Sequence, residues 1–241
     1  KMYFLIKSAS NLFKTLTDIF FPRLCFKCMK KIPSGILCFE CRNKIIFLNT
    51  CLCRLCCQEK VQKNLQICRS CSKKALPYDR LISAVYYREP ISELIHQFKY
   101  NNHSFLCEFF SQILINHLKK SGWSSSGFDL ITAVPMHRDK LKYRGYNPPE
   151  LLAKSLSNYF KIPFYNDIIA AVSCRPSQTK LNPEERLANV SKAFKVTRPL
   201  QNNKIILVDD IFTTGATVLA CCQKMKEEGA RHITIVTAAK T

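Results

Sequence analysis

Lys204-Ile205-Ile206-Leu207-Val208-Asp209-Asp210-Ile211-Phe212-Thr213-Thr214-Gly215-Ala216-Thr217 decides how this chain folds. Four aliphatic residues, Ile205 to Val208, have the length and β-branching of a strand buried on both faces, as in a parallel sheet. Two carboxylates follow, where such a strand should leave the core. A short run of hydroxyls around one glycine comes next, and a helical pattern from Val218 should end at Gly229 as its C′ residue. A strand, an acid pair, a tight turn and a helix N-terminus make a site for a ligand carrying both a phosphate and a sugar. Backbone N–H groups from Thr213 through Thr214, Gly215 and Ala216 to Thr217, helped by threonine hydroxyls and the positive helix end, can hold a phosphate dianion. Asp209 and Asp210, as ionised carboxylates, can accept from neighbouring ribose hydroxyls.

No Gly-Lys-Ser/Thr follows the turn, so the loop is not a Walker A motif. Aliphatics, two acids and Thr-Thr-Gly-x-Thr resemble the phosphoribosyl-pyrophosphate (PRPP) loop of type I phosphoribosyltransferases.

Upstream, the same alternation of strands and helices recurs. Strands are expected at Leu81–Tyr87, Leu130–Pro135, Ile168–Val172, Ile205–Val208 and Ile233–Val236, and helices at Pro90–Phe98, Ser104–Lys119 and Pro149–Phe160. This predicts an α/β fold, a parallel sheet flanked by helices, with ligands at the carboxyl ends of the strands. After the second strand, Val134-Pro135-Met136-His137-Arg138-Asp139-Lys140-Leu141-Lys142-Tyr143-Arg144-Gly145-Tyr146-Asn147 brings four basic side chains within seven residues. A pyrophosphate needs such cations, arginine as a bidentate fork and lysine as a point charge. Met136, His137, Arg138 and Arg144 are the expected pyrophosphate side. The polar stretch from Arg175 to Val190 is long enough for a flap that excludes water from the site.

Charge and cysteine content bound the partners. The chain has 241 residues and a formal charge of +20; residues 1–80 hold sixteen Lys/Arg against four Asp/Glu. Such a balance favours polyanions, nucleic acid among them. No apolar stretch is long and uninterrupted enough to span a bilayer. Fourteen cysteines without a signal-peptide pattern ahead of them predict metal binding in a reducing cytoplasm rather than disulfides. Cys25-x-x-Cys28 and Cys38-x-x-Cys41 form one set; Cys53-x-x-Cys56 and Cys68-x-x-Cys71 form a second. Each pair offers two thiolates, and two pairs complete a closed tetrahedral zinc site. Linkers of nine and eleven residues suggest pairing in sequence, one or two structural zincs in all; a cross-braced pairing stays open, and Cys51 and Cys57 are alternative ligands. Ahead of them, Leu5, Ala9, Leu12, Leu16 and Ile19 line one face of an amphipathic helix closed by Pro22. The expected division is a helix at 1–22, a cysteine-rich zinc module at 23–76 and a phosphoribosyltransferase-like domain at 77–241.

Together these segments resemble the competence protein F family, type I phosphoribosyltransferase-like proteins with an N-terminal zinc module. The markers are the Cys-x-x-Cys pairs, Pro77-Tyr78-Asp79-Arg80, Phe98-Lys99-Tyr100, Val134-Pro135-Met136-His137, Tyr143-Arg144-Gly145-Tyr146-Asn147, Gln178 with Glu185-Arg186 and Asn189-Val190, and the Asp209–Thr217 loop. Asn147 is followed by Pro148 where the family usually has glutamine. The resemblance implies handling of incoming single-stranded DNA in natural transformation, on a fold that binds PRPP with magnesium. Lys99, Tyr100, Lys142 and Tyr146 are candidate DNA contacts, since a single strand asks for cations interleaved with aromatics. Two other readings compete: an active phosphoribosyltransferase on a small nucleobase or amine, and a zinc-scaffolded adaptor that docks a helicase or recombination protein.

Overall fold

The structure, a computed structural model, describes residues 22–49, 53–58, 66–172 and 193–241. The N-terminal helix expected before Pro22, the flap expected at 175–190 and Cys51 lie outside the described residues. The chain divides into two compact units at 45/46.

In the first unit, Cys25 and Cys28 sit in a turn that closes when Cys25 donates to Lys30 O and Met29 donates to Cys25 O. Cys38 caps the short helix α1 (Phe39–Asn43), its sulfur accepting from the Cys41 amide. The second unit begins with a repetition of this device. Cys53 donates to Gln58 O and Cys57 to Cys53 O, and Cys68 precedes α2 (Arg69–Ser72). The residue after each leading pair is left-handed, Met29 at φ 60° and Cys57 at φ 52°.

The sheet of the second unit holds β1 (Arg80–Tyr86), β2 (Leu130–Ala133), β5 (Lys204–Phe212) and β6 (His232–Lys240) in the order β1-β6-β5-β2, all parallel. Both edges are covered: residues 46–48 bond antiparallel to β1, and 163–165 run parallel beside β2. Among the described residues, these contacts shorten the row of edge amides open to another chain. Helices α3 (Ile91–Tyr100) and α4 (Leu106–Lys120) follow β1. Then α5 (Arg138–Arg144) and α6 (Pro148–Phe160) follow β2, and α7 (Ala216–Glu227) connects β5 to β6. Helix α7 stops as predicted at Gly229 (φ 90°), with Gly229 N donating to Lys226 O and Ala230 N to Met225 O. That pair of bonds is the Schellman closure, which needs a residue without a Cβ penalty at C′.

Two sequence expectations are corrected. The 168–172 strand is β3 (Ile169–Ala171), but it pairs antiparallel with β4 (Phe194–Val196) in a separate two-stranded sheet. A three-residue apolar run carries no signal for which sheet it joins. The second correction concerns β5, which does not end at Val208. Its ladder with β6 continues to Phe212 opposite Lys240, whereas its ladder with β2 stops at Val208 opposite Ala133. The chain leaves β2 at Pro135, so a crevice opens beside a strand that continues on its other side.

Alternation along β5 sets the two faces. Ile205 and Leu207 join one core cluster with Ile233, Ile235, α7 and the second cysteine set. Helices α4 and α6 cover the opposite face. Each fully buried Leu, Ile or Phe contributes about 1.5–3 kcal/mol relative to exposure. Because strand side chains alternate, Asp209 continues the α7 side and Asp210 the opposite side.

Candidate functional site

The crevice holds a cavity of about 440 Å³. Its walls come from the ends of β2 and β5, from α3 and α5, and from the antiparallel β3–β4 pair through Ala171 and Phe194. Asp209, Asp210, Thr213 and Thr217 line it, as do Met136, His137 and Arg144. The acid loop and the basic segment, about seventy residues apart in the chain, therefore face one space.

The turn after β5 depends on Gly215. It is left-handed (φ 76°), and a Cβ there would come within 2.5 Å of the Phe212 ring. Any other residue would both strain the backbone and displace that ring. Thr214 Oγ1 accepts from Ala216 N at 3.4 Å. Gly215 itself occupies the cap of α7, with no side-chain cap bond. The first amides of a helix lack intrahelical acceptors and can turn to a ligand.

The two acids are unlike. Asp210 is 3% exposed, and the Lys99 ammonium lies 2.7 Å from its Oδ1. Asp209 accepts from the Asp210 amide at 2.8 Å. Burial and then the Asp210 charge push the Asp209 carboxyl up to about 8, against the pull of Lys99. A carboxyl raised in this way can carry its proton near neutrality, and can donate as well as accept.

The basic segment after β2 forms helix α5. His137 is its cap, Nδ1 accepting from Asp139 N, and Gly145 (φ 79°) ends it. Its faces separate the basic residues. His137, Lys140 and Arg144, spaced three and four apart, line the cavity; Arg138 and Leu141 line an adjoining cleft of about 230 Å³. Tyr143 is 87% exposed and Lys142 is open to solvent. Arg144 lies over the Tyr100 ring at 4.8 Å.

Residues 98–100 end α3 with three different tasks. Phe98 is fully buried against Phe110, and its carbonyl accepts from the Tyr146 hydroxyl. Lys99 enters the cavity and Tyr100 carries Arg144 at the rim. Of the four expected DNA contacts, Lys142 and Tyr100 are exposed, Lys99 is committed to Asp210, and Tyr146 is half-buried in packing. Sequence reasoning missed Lys140 and Asn147 as walls of the site. Asn147 is buried, and its Nδ2 donates to Val134 O at 3.0 Å, tying the start of α6 to the end of β2. No sequence signal marked it: an Asn before Pro148-Pro149 reads as a helix cap, and only the structure shows that its side chain makes no cap bond.

Each cysteine set gathers in sequence. The sulfurs of Cys25, Cys28, Cys38 and Cys41 lie within 4.8 Å of one another, and so do those of Cys53, Cys56, Cys68 and Cys71. Tetrahedral zinc with bonds of about 2.3 Å separates its sulfurs by about 3.8 Å. Cys28–Cys38 at 3.6 Å and Cys56–Cys68 at 3.7 Å fit that requirement. Burial opposes thiolate at Cys25, but the amides of Cys38, Cys28 and Lys27 outweigh it and bring the thiol down to about 6. The same balance, with amides of Cys68, Leu55 and Cys56, brings Cys53 to about 7. Both sets could therefore hold zinc. Cys57 stands apart, donating to Leu81 O at 3.2 Å inside the core.

Residues 150–241, from α6 to β6, match the phosphoribosyl transferase domain family. Among curated proteins, the chain is 28% identical over 177 residues to DNA utilization protein YhgH of Escherichia coli (strain K12), covering 72% of this chain and 78% of that one. It is 27% identical over 184 residues to Competence protein F of Haemophilus influenzae, covering 74% and 80%. Competence protein ComFC of Streptococcus pneumoniae is 26% identical over 182 residues, covering 75% and 77%. The chain is thus similar to competence protein F, ComFC and YhgH proteins over about three quarters of its length. Its sheet and its flanking helices are those of the type I phosphoribosyltransferase fold, preceded by the cysteine sets. Among solved structures, a purine phosphoribosyltransferase from Pyrococcus horikoshii aligns over 57% of this chain and 84% of its own, at 16% identity and a TM-score of 0.37.

Proposed function

We propose that this chain is a competence factor that binds PRPP with magnesium and handles single-stranded DNA in the cytoplasm during natural transformation. One observation carries the reading: a single cavity joins an acid pair, a helix N-terminus behind an obligatory glycine, the cations Lys140 and Arg144, and the His137 imidazole. In it, Asp209 and Asp210 would take the ribose hydroxyls, and the amides and hydroxyls of residues 213–217 the 5′-phosphate. Arg144 and Lys140 would face the pyrophosphate, with Met136 and His137 beside them and Arg138 on the far side of the same helix. Magnesium binds through one or two carboxylates plus ligand phosphates, and the strand end supplies such carboxylates; when bound it would neutralise pyrophosphate charge. The relatives' names, which concern competence and DNA utilization, support the cellular reading. So does the +20 charge, because neutralising phosphates dominates affinity for a nucleic acid strand. Among the described residues no helix is long and apolar enough to cross a membrane.

Titration of the full chain with PRPP and Mg²⁺, beside Asp209→Ala/Asp210→Ala, tests the pocket. Binding by the wild type and its loss in the double variant are expected, with DNA uptake falling in cells that carry that variant. A wild type that binds no PRPP sinks the proposal.

A second reading, transfer of the phosphoribosyl group to a small acceptor, draws on the adjoining cleft. That cleft shares Pro135, Met136, Asn147 and Ala171 with the main cavity. Pyrophosphate release from PRPP in the presence of bases, amines or DNA is its test, and no release with any of them ends it.

A further inference from the structure

The least expected group in the cavity is Lys99. Its neighbours fix the backbone that carries it: Phe98 is buried on one side, the Tyr146 hydroxyl holds the Phe98 carbonyl, and Tyr100 is held under Arg144 on the other. The ammonium is thereby delivered to Asp210, whose side chain is 5% exposed while that of Lys99 is 22% exposed. Among the described residues, Lys99 is the one cation within ion-pair distance of either acid. A lone carboxylate this deep would be costly, and its field would point into a space built for an anion. The open cations are elsewhere, at Lys140 and Arg144 on α5, both lining the cavity and both exposed more than Asp210.

We propose that Lys99 is a positioning residue acting through Asp210: it cancels the buried negative charge and orients the carboxylate, so that a phosphorylated sugar can approach the strand end. The ligand's phosphates are left to the loop and to α5. This rests on the pocket being a sugar-phosphate site, and it assigns Lys99 to the acid pair rather than to DNA or to the ligand itself. A lysine that works by neutralising Asp210 should be dispensable once Asp210 has no charge. A lysine that grips the ligand should matter equally in both backgrounds.

The test is the affinity of the full chain for PRPP with Mg²⁺, by calorimetry, for wild type, Lys99→Met, Lys99→Arg, Asp210→Asn and the Lys99→Met/Asp210→Asn pair. Lys99→Met should weaken binding by about tenfold or more, and Lys99→Arg, which keeps the charge, by less than about threefold. The pair should bind as Asp210→Asn does. Either of two results overturns the inference: Lys99→Met binding as tightly as wild type, or Lys99→Met costing the same factor in the Asp210→Asn background. If Lys99→Met fails to fold, the comparison of Asp210→Asn with the pair decides, since neither contains an Asp210 carboxylate stripped of its lysine. A wild type that binds no PRPP overturns the reading of the pocket as well; a wild type that binds, with either overturning result, removes the role of Lys99 alone.

Discussion

The two cysteine sets are built alike and embedded differently. Each opens with a Cys-x-x-Cys turn closed by the amide of a left-handed residue, Met29 in one and Cys57 in the other. Each continues to a cysteine at the cap of a short helix, Cys38 or Cys68. Their surroundings diverge at once. Met29 is 64% exposed, whereas Cys57 is buried. In the second turn, three successive carbonyls are taken by the sheet: Arg54 O by the Leu81 amide, Leu55 O by the Tyr78 hydroxyl at 2.6 Å, and Cys56 O by Lys240 Nζ at 2.9 Å. Cys53, Cys68 and Cys71 belong to the same core cluster as β1, β5, β6 and α7. The first set is a small unit of its own. A repeated local design thus becomes a self-contained clip in one place and a part of the sheet's hydrophobic core in the other.

The difference can be broken at graded points. Serine in place of Cys71 should have the largest effect, since structural zinc energy is folding energy where the site is part of a core. The melting temperature of the full chain should fall by more than about 10 °C, with ligand binding lost and zinc content lowered by one. An unchanged melt would mean that the second set is no more integral than the first. Lys240→Met leaves the Cys56 carbonyl without its donor, at a cost of about 1–3 kcal/mol, which calorimetry should read as a shift of a few degrees. Cys41→Ser should also lower zinc by one, yet leave the main transition within about 2 °C, because none of the first set's cysteines belongs to the sheet's core cluster. A collapse of the main transition there would erase the contrast. Smallest of all, Glu40→Gln breaks an exposed pair with Lys30 at 2.7 Å and should leave both the melt and the zinc content as they were.

The site repeats this lesson with Lys99 and Lys142. Both are lysines beside aromatics, and both were expected at DNA. One is drawn to a buried aspartate and the other stays in solvent. No local pattern separates them, because the Asp210 that selects Lys99 is more than a hundred residues away in the chain.

The amino acids in their order were enough for whatever short-range chemistry fixes. The glycine turn at Gly215, the stop of α7 at Gly229, the alternating elements and the four Cys-x-x-Cys turns all follow from propensities acting over a few residues. Tertiary structure alone decided that β3 leaves the parallel sheet, that β5 outruns β2 to open a crevice, that Lys99 turns inward, and that one cysteine set joins the core. Those outcomes depend on which distant surfaces must be buried together and which buried charges must find partners, and neither is written within any one stretch of the chain.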